Sequence, residues 1–174
     1  MGPVLIGWIG EDQADLALLG QVVRGVSRAF GCEARTFEPP LTPRHALDPR
    51  RNQHASGVLL HWLVPLAPPE GRVLGITDQD LFIPILTYVF GEAQLGGAAA
   101  VVSTARLSDG VEEFGHKVLT ERLIKEAVHE LGHCFGLRHC LAAGCVMGRS
   151  SGVRDVDAKG RTLCADCRAR LRGQ

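Results

Sequence analysis

The stretch HELGHCFGLRHC, residues 129–140, puts three histidines, a glutamate, two cysteines and two glycines into twelve positions. At about 3.6 residues per turn, His129 and His133 differ by only about 40° around a helix axis, so both imidazoles project from one face. Two imidazoles so placed can bind one Zn²⁺. Glu130 lies on the flank of that face. It is close enough to hold a water at the metal without ligating the metal, as a general base in metal-assisted hydrolysis must. In a continuing helix His139 would point about 240° away from His133, so the helix has to stop and turn back. Gly136 stands where a left-handed residue can end it. His139 then meets the metal from outside the helix. Three neutral histidines leave a fourth position open for water, the mark of a catalytic rather than a structural site. The competing reading, histidines on a merely polar helix surface, leaves Glu130 and Gly136 without a job.

Cysteines follow at once. Cys140 and Cys145 form a C-x4-C pair, Cys164 and Cys167 a C-x2-C pair, with 18 residues between the pairs. These spacings suit a closed, structural Cys₄ zinc, which makes two zinc ions per chain. Disulfides are the rival reading. His139 and Cys140 are neighbours whose side chains diverge toward different metals, so the second zinc staples the segment that carries the third histidine. Few large apolar residues lie there, and metal binding replaces core burial.

HELGHCFGLRH resembles the zinc motif of the metzincin peptidases. Met147, the only methionine besides Met1, follows His139 by eight residues and by this resemblance is the Met-turn residue beneath the metal. Some metzincins carry a tyrosine two residues further on. Arg149 stands there, which leaves the group that helps stabilise an oxyanion unassigned. HExxHxxGxxHC-x4-C-x-M followed by C-x2-C is similar to the archaemetzincin family, and so are the runs GITDQDLFIPILTYVFGEA and AAAVVSTARL. The resemblance implies a compact single-domain zinc metallopeptidase over residues 1–174, without a pro-segment. It also implies an antiparallel edge strand over residues 98–107 that bounds the cleft and pairs with an extended peptide.

The elements that must position these residues read as α/β. Residues 4–9 form a buried strand, and Asp12 is the expected cap of a helix to Phe30, with Leu16, Leu19, Val22, Val23, Val26 and Phe30 at helical spacing. Residues 32–37 make a strand, prolines 39, 40 and 43 a loop, residues 55–66 a helix and residues 73–77 a strand. This alternation predicts a mixed, mainly parallel twisted sheet with helices packed on it. Residues 81–97 are apolar but interrupted by Pro84, Gly91, Gly96 and Gly97, and read as irregular structure with a short helical or extended piece. After the loop SDGVEEFGH comes the long helix 117–135 that carries the motif, and then little regular structure until a short helix from Ala165.

Composition bounds the function. With 174 residues, 45% hydrophobic, and a formal net charge of +0, the chain can bury its own core. It lacks the positive field that nucleic acid or acidic membrane rewards. The start, MGPVLIGWIGED, reads as a strand rather than a signal peptide, and no apolar run is long enough to span a bilayer. The expectation is a cytoplasmic monomer acting on peptides or proteins, with no nucleic-acid or membrane partner and with reduced cysteines available for metal. The alternative is a non-catalytic zinc module that binds partners through its cysteine lobe and the basic residues Arg161, Arg168, Arg170 and Arg172. Glu130 discriminates, since such a module has no use for a base beside an open metal position. Cys32 and Cys134 read as small buried hydrophobes and Tyr88 as core. His45, His54 and His61 read as surface or locally bonded groups, and Asp78 and Asp80 as turn residues.

Overall fold

The structure, a computed structural model, describes residues 1–11, 13–111 and 115–173. Its elements in chain order are β1 (Val4–Trp8), α1 (Leu16–Phe30), β2 (Ala34–Thr36), β3 (Leu47–Asp48), β4 (Gln53–Ala55), α2 (Ser56–Leu63), β5 (Arg72–Thr77), β6 (Leu81–Phe82), β7 (Gly91–Ala93), β8 (Ala99–Ser103), α3 (Gly115–Cys134), α4 (Val153–Ala158) and α5 (Ala165–Arg172). The main sheet has the order β2-β1-β5-β8-β7. All its pairs are parallel except β7 with β8. A small second sheet, β3-β4-β6, was not legible in the sequence.

The middle of the sheet is covered on both faces, so β1, β5 and β8 are almost continuously apolar. Val4, Ile6, Leu74, Ile76, Ala100 and Val102 pack with α1 and α3. Val73, Ala99 and Val101 belong to a second cluster with Leu59, Leu60 and Leu63 of α2. Strand β8 alternates between the two clusters, and all five of its residues are buried. It is therefore an interior strand, and the expectation that residues 98–107 form the edge is wrong. Regular pairing stops at Ser103, and the edge belongs to β7, inside the stretch read as irregular with a short helical or extended piece. Small residues on β8 serve close packing from both sides, not the approach of a substrate.

Helix α1 is capped by Asp15, whose Oδ1 accepts from the backbone N–H of Ala17 and Leu18 at 2.9 and 3.0 Å. Asp12, the expected cap, lies outside the described residues, as do residues 112–114 of the loop before α3. Gly31 ends the helix at φ 63°, its N–H donating to Ser27 O. The short helix α4 was also missed. Residues 64–66 close the α2 segment as a 3₁₀ turn.

Arg122 fastens α3 to what precedes and follows it. Its guanidinium donates to Leu107 O and Asp109 O, both at 2.7 Å, and makes a two-point pair with Asp157 of α4 at 2.8 Å. Arg122 holds the Asp157 carboxyl below the usual range. A depressed carboxylate contributes stability above its unfolded value of about 3.9 and loses it as pH falls through the folded value. Asp157 is half exposed, so solvent discounts the pair. Asp157→Asn is expected to destabilise by about 1 kcal/mol at pH 7, or roughly 2–4 °C in Tm. In thermal unfolding, the gap to wild type should hold from pH 5 to 7 and shrink below about pH 4. A gap independent of pH would show that the carboxylate charge is irrelevant.

Candidate metal centre and cleft

Helix α3 ends as the motif requires. Gly136 has φ 79°. Its N–H donates to His133 O at 2.8 Å, and the N–H of Leu137 reaches back to Gly132 O at 2.9 Å. These are the paired bonds of a Schellman end, which only a left-handed residue allows at this position. The chain reverses, and His139 returns beside the helix. Its ring centroid lies 5.3 Å from that of His129 and 5.0 Å from that of His133. One nitrogen from each of the three histidines lies within 4.8 Å of the others. His129 Nε2 and His133 Nε2 are 3.2 Å apart, close to the roughly 3.3 Å edge of a tetrahedron with bonds of about 2.0–2.1 Å. The donor set fits a zinc ion.

The far nitrogens are occupied by backbone. His129 Nδ1 lies 2.9 Å from Val146 O, and His133 Nδ1 lies 2.7 Å from Leu137 O. Donation of Nδ1–H to these carbonyls leaves both Nε2 lone pairs facing the centre, the usual orienting arrangement behind a metal-ligating histidine. Burial, reinforced by the nearby Lys159 ammonium, lowers His129 to about 2, and burial also lowers His133 and His139. All three rings are neutral at pH 7, the state that ligates.

Met147 is fully buried. A Cβ at Gly132 would overlap its Sδ, so the glycine of HELGH makes room for the thioether beneath the histidines. Nothing in the spacing of the motif marks Gly132 for that task. Glu130 is treated the same way from above. A Cβ at Gly91 would sit 2.8 Å from Glu130 Cγ and 3.0 Å from its Oε1, so the edge strand β7 admits the carboxylate by lacking a side chain there. Burial pushes Glu130 well above the usual carboxylate range. Glu126 and Glu92 add to the shift, and Lys159 opposes it. A divalent cation at the histidines would pull it back down.

The four cysteines converge as a second donor set. Their sulfurs lie within 4.8 Å of one another, with Cys140–Cys164 and Cys145–Cys167 at 3.8 Å. That matches the edge of about 3.8 Å expected for a tetrahedral site with Zn–S bonds of about 2.3 Å. It is far from the roughly 2.05 Å of a disulfide, and all six cysteines are free thiols. Backbone N–H groups point at the sulfurs: Cys167 N at Cys164 Sγ (3.5 Å), Cys164 N at Cys145 Sγ (3.4 Å) and Ala142 N at Cys140 Sγ (3.4 Å). The Cys167 N–H bond, with the neighbouring thiols, lowers Cys164 to about 7. Burial raises Cys145 and Cys167.

A cleft of about 410 Å³ opens above the three histidines. Residues 86–93 form one wall, Arg149, Ser150 and Ser151 the other, and Glu126, His129, Glu130 and His133 the floor. Tyr88 packs against the core and also lines this cleft, its hydroxyl donating to Ser151 O at 3.2 Å and its ring flanked by Phe90 and the Arg106 guanidinium. Arg149 is in the cleft wall as well. His116 pairs with Asp15 at 2.9 Å and does not line the cleft. Cys134 is fully buried, its thiol donating to Ala99 O at 3.3 Å, and Cys32 is half-buried. His54 is buried rather than superficial, and burial lowers its pKa. His45 and His61 are exposed, as expected. Asp80 pairs with Arg106 at 2.6 Å.

The model of Peptidase family M54 matches residues 71–173. The chain belongs to that family. It is 44% identical over 125 residues to an archaemetzincin of Methanopyrus kandleri, covering 72% of this chain and 69% of that one. It is 35% identical over 172 residues to an archaemetzincin of Aeropyrum pernix, covering 95% and 89%. The crystal structure of the Methanopyrus kandleri archaemetzincin superposes with a TM-score of 0.87 over 99% of this chain and 94% of that one, at 34% identity. The resemblance read from the motif is thus shown, and the chain is a zinc metallopeptidase of the archaemetzincin family. The matched segment opens one residue before β5, so it takes in the edge strand, the histidine helix and the cysteine lobe.

Proposed function

We propose that the chain cleaves peptide bonds in the cleft above α3, with Glu130 as general base and His129, His133 and His139 holding the catalytic zinc. Cys140, Cys145, Cys164 and Cys167 hold a second, structural zinc. Residues 1–174 act as one catalytic domain, a cytoplasmic monomer that does not bind nucleic acid. Among the described residues no helix is long and apolar enough to cross a membrane.

The observation that carries this reading is the placement of Glu130 in the cleft floor, between two of the histidines and under the glycine of the edge strand. Zinc in the three-histidine site would polarise a peptide carbonyl and lower the pKa of water to about 7. Glu130 accepts the proton of the attacking water and returns it to the leaving amine, the two tasks of a single positioned acid–base group. A binding-module reading leaves Glu130 with nothing to do.

The substrate backbone finds a partner on β7. Phe90 O accepts from Ser103 N, and Gln94 N donates to Ala99 O. By antiparallel alternation Glu92 also faces β8, while Gly91 and Ala93 turn their N–H and C=O groups outward. An extended peptide can add there by main-chain hydrogen bonds, which tolerates varied sequence. Ser103 and Thr104 cannot serve, because their N–H groups are bonded to Phe90 O and Thr77 O.

Two measurements test this. Glu130→Gln should lower kcat by at least about 100-fold with zinc content unchanged; wild-type turnover in that variant would remove the general-base role. Ala93→Pro deletes one outward donor and should raise KM for extended peptides with both metals retained. An unchanged KM would put the peptide elsewhere.

A further inference from the structure

Lys159 has no local signal in the sequence and no part in the mechanism above, yet it is buried, 7% exposed. Its backbone belongs to the cysteine lobe. It caps α4, its N–H donating to Asp155 O. The next residue, Gly160, donates to Gly144 O at 3.0 Å, an approach so close that a Cβ on Gly160 would lie 2.7 Å from that oxygen. Two residues further on, Thr162 O accepts from Val146 N at 3.1 Å. The position of Lys159 is therefore set between the two cysteine pairs.

Its side chain leaves the lobe and runs under the histidine site. Nζ pairs with Glu126 Oε1 at 2.7 Å, the two side chains only 5% and 3% exposed. It donates to Gly148 O at 3.2 Å, just after Met147, and lies 3.4 Å from His129 Nδ1. One ammonium thus touches α3, the methionine turn and the back of a histidine in the metal centre. A buried ion pair adds little net stability over an apolar pair of the same shape, so stability does not explain this placement. Ring orientation does. An ammonium has only donors. When His129 Nδ1–H points at Val146 O the bond is made. A rotation toward Lys159 would aim one donor at another. Attraction on one side and repulsion on the other hold Nε2 toward the centre.

We propose that Lys159 is a positioning residue for His129, through which the cysteine lobe sets the metal affinity of the three-histidine site. The inference rests on the assignment of those histidines as zinc ligands. Removing a group behind a metal-ligating histidine typically weakens metal binding about 10–100-fold, and Lys159→Met should do the same to the three-histidine zinc while the cysteine zinc stays bound. kcat should fall with KM unchanged. Lys159→Met also strands the Glu126 charge, so the double variant Glu126→Gln/Lys159→Met is the decisive one. The experiment titrates holoenzyme with a chelator of known zinc affinity, alongside thermal unfolding. The expected result is that the double variant regains Tm relative to Lys159→Met but not wild-type affinity at the three-histidine site. If affinity returns together with Tm, or if neither variant weakens zinc, Lys159 is only a counter-ion and the proposal is overturned. A wild-type protein that releases only cysteine-bound zinc in the same titration would instead remove the histidine assignment, and this inference with it.

Discussion

The left-handed turn at Gly136 is the constraint on which the rest of the metal geometry depends. It stops α3 directly after His133 and sends the chain back beside the helix. A residue with a Cβ would resist that conformation, and a helix that continued would carry His139 to the opposite side. Once the chain reverses, adjacent side chains diverge: His139 joins the histidine cluster and Cys140 the cysteine cluster. The two donor sets are thus joined by a single peptide bond. The return path is then tied down by backbone, Cys140 N to Met147 O at 3.0 Å and Val146 N to Thr162 O at 3.1 Å. Apolar burial holds this segment too: Leu137, Val146, Met147, Val156, Leu163 and Leu171 all join the main core.

Charge is arranged around this turn with similar economy. Glu126, Glu130 and Glu92 all face one cleft, and burial raises the pKa of Glu126 and Glu130. Lys159 answers Glu126 at 2.7 Å, and the histidine centre offers a place for a divalent ion beside Glu130. Glu126, with its lysine partner, is therefore the neutralised carboxylate, and Glu130 is left for the metal site. Two glycines finish the site by absence: Gly132 makes room for Met147 and Gly91 for Glu130.

Much of this was legible in the sequence because it is local. Helical spacing at His129 and His133, the stop at Gly136 and the short cysteine spacings each specify geometry within a few residues. Strands β1, β2 and β5 and helices α1 and α2 were readable from periodicity for the same reason. What escaped is non-local. The resemblance puts the edge at residues 98–107, but the small residues of β8 serve packing on two faces, and only the pairing of β7 reveals which strand is outermost. Tyr88 packs against the core as a lone tyrosine usually does, but its place in the cleft wall depends on Ser151, 63 residues away. Lys159 reaches Glu126 across 33 positions of chain, and no spacing rule signals that. Helix α4 is six residues long, too short for its period to show.

The central claim is that two chemically distinct metal centres share the segment His139–Cys140. The most direct measurement is elemental analysis combined with zinc K-edge X-ray absorption on one purified sample. The expected result is two zinc ions per chain, a nitrogen shell near about 2.0 Å and a sulfur shell near about 2.3 Å, averaging two sulfurs per zinc. One zinc per chain, or a spectrum with a single ligand shell, would contradict it.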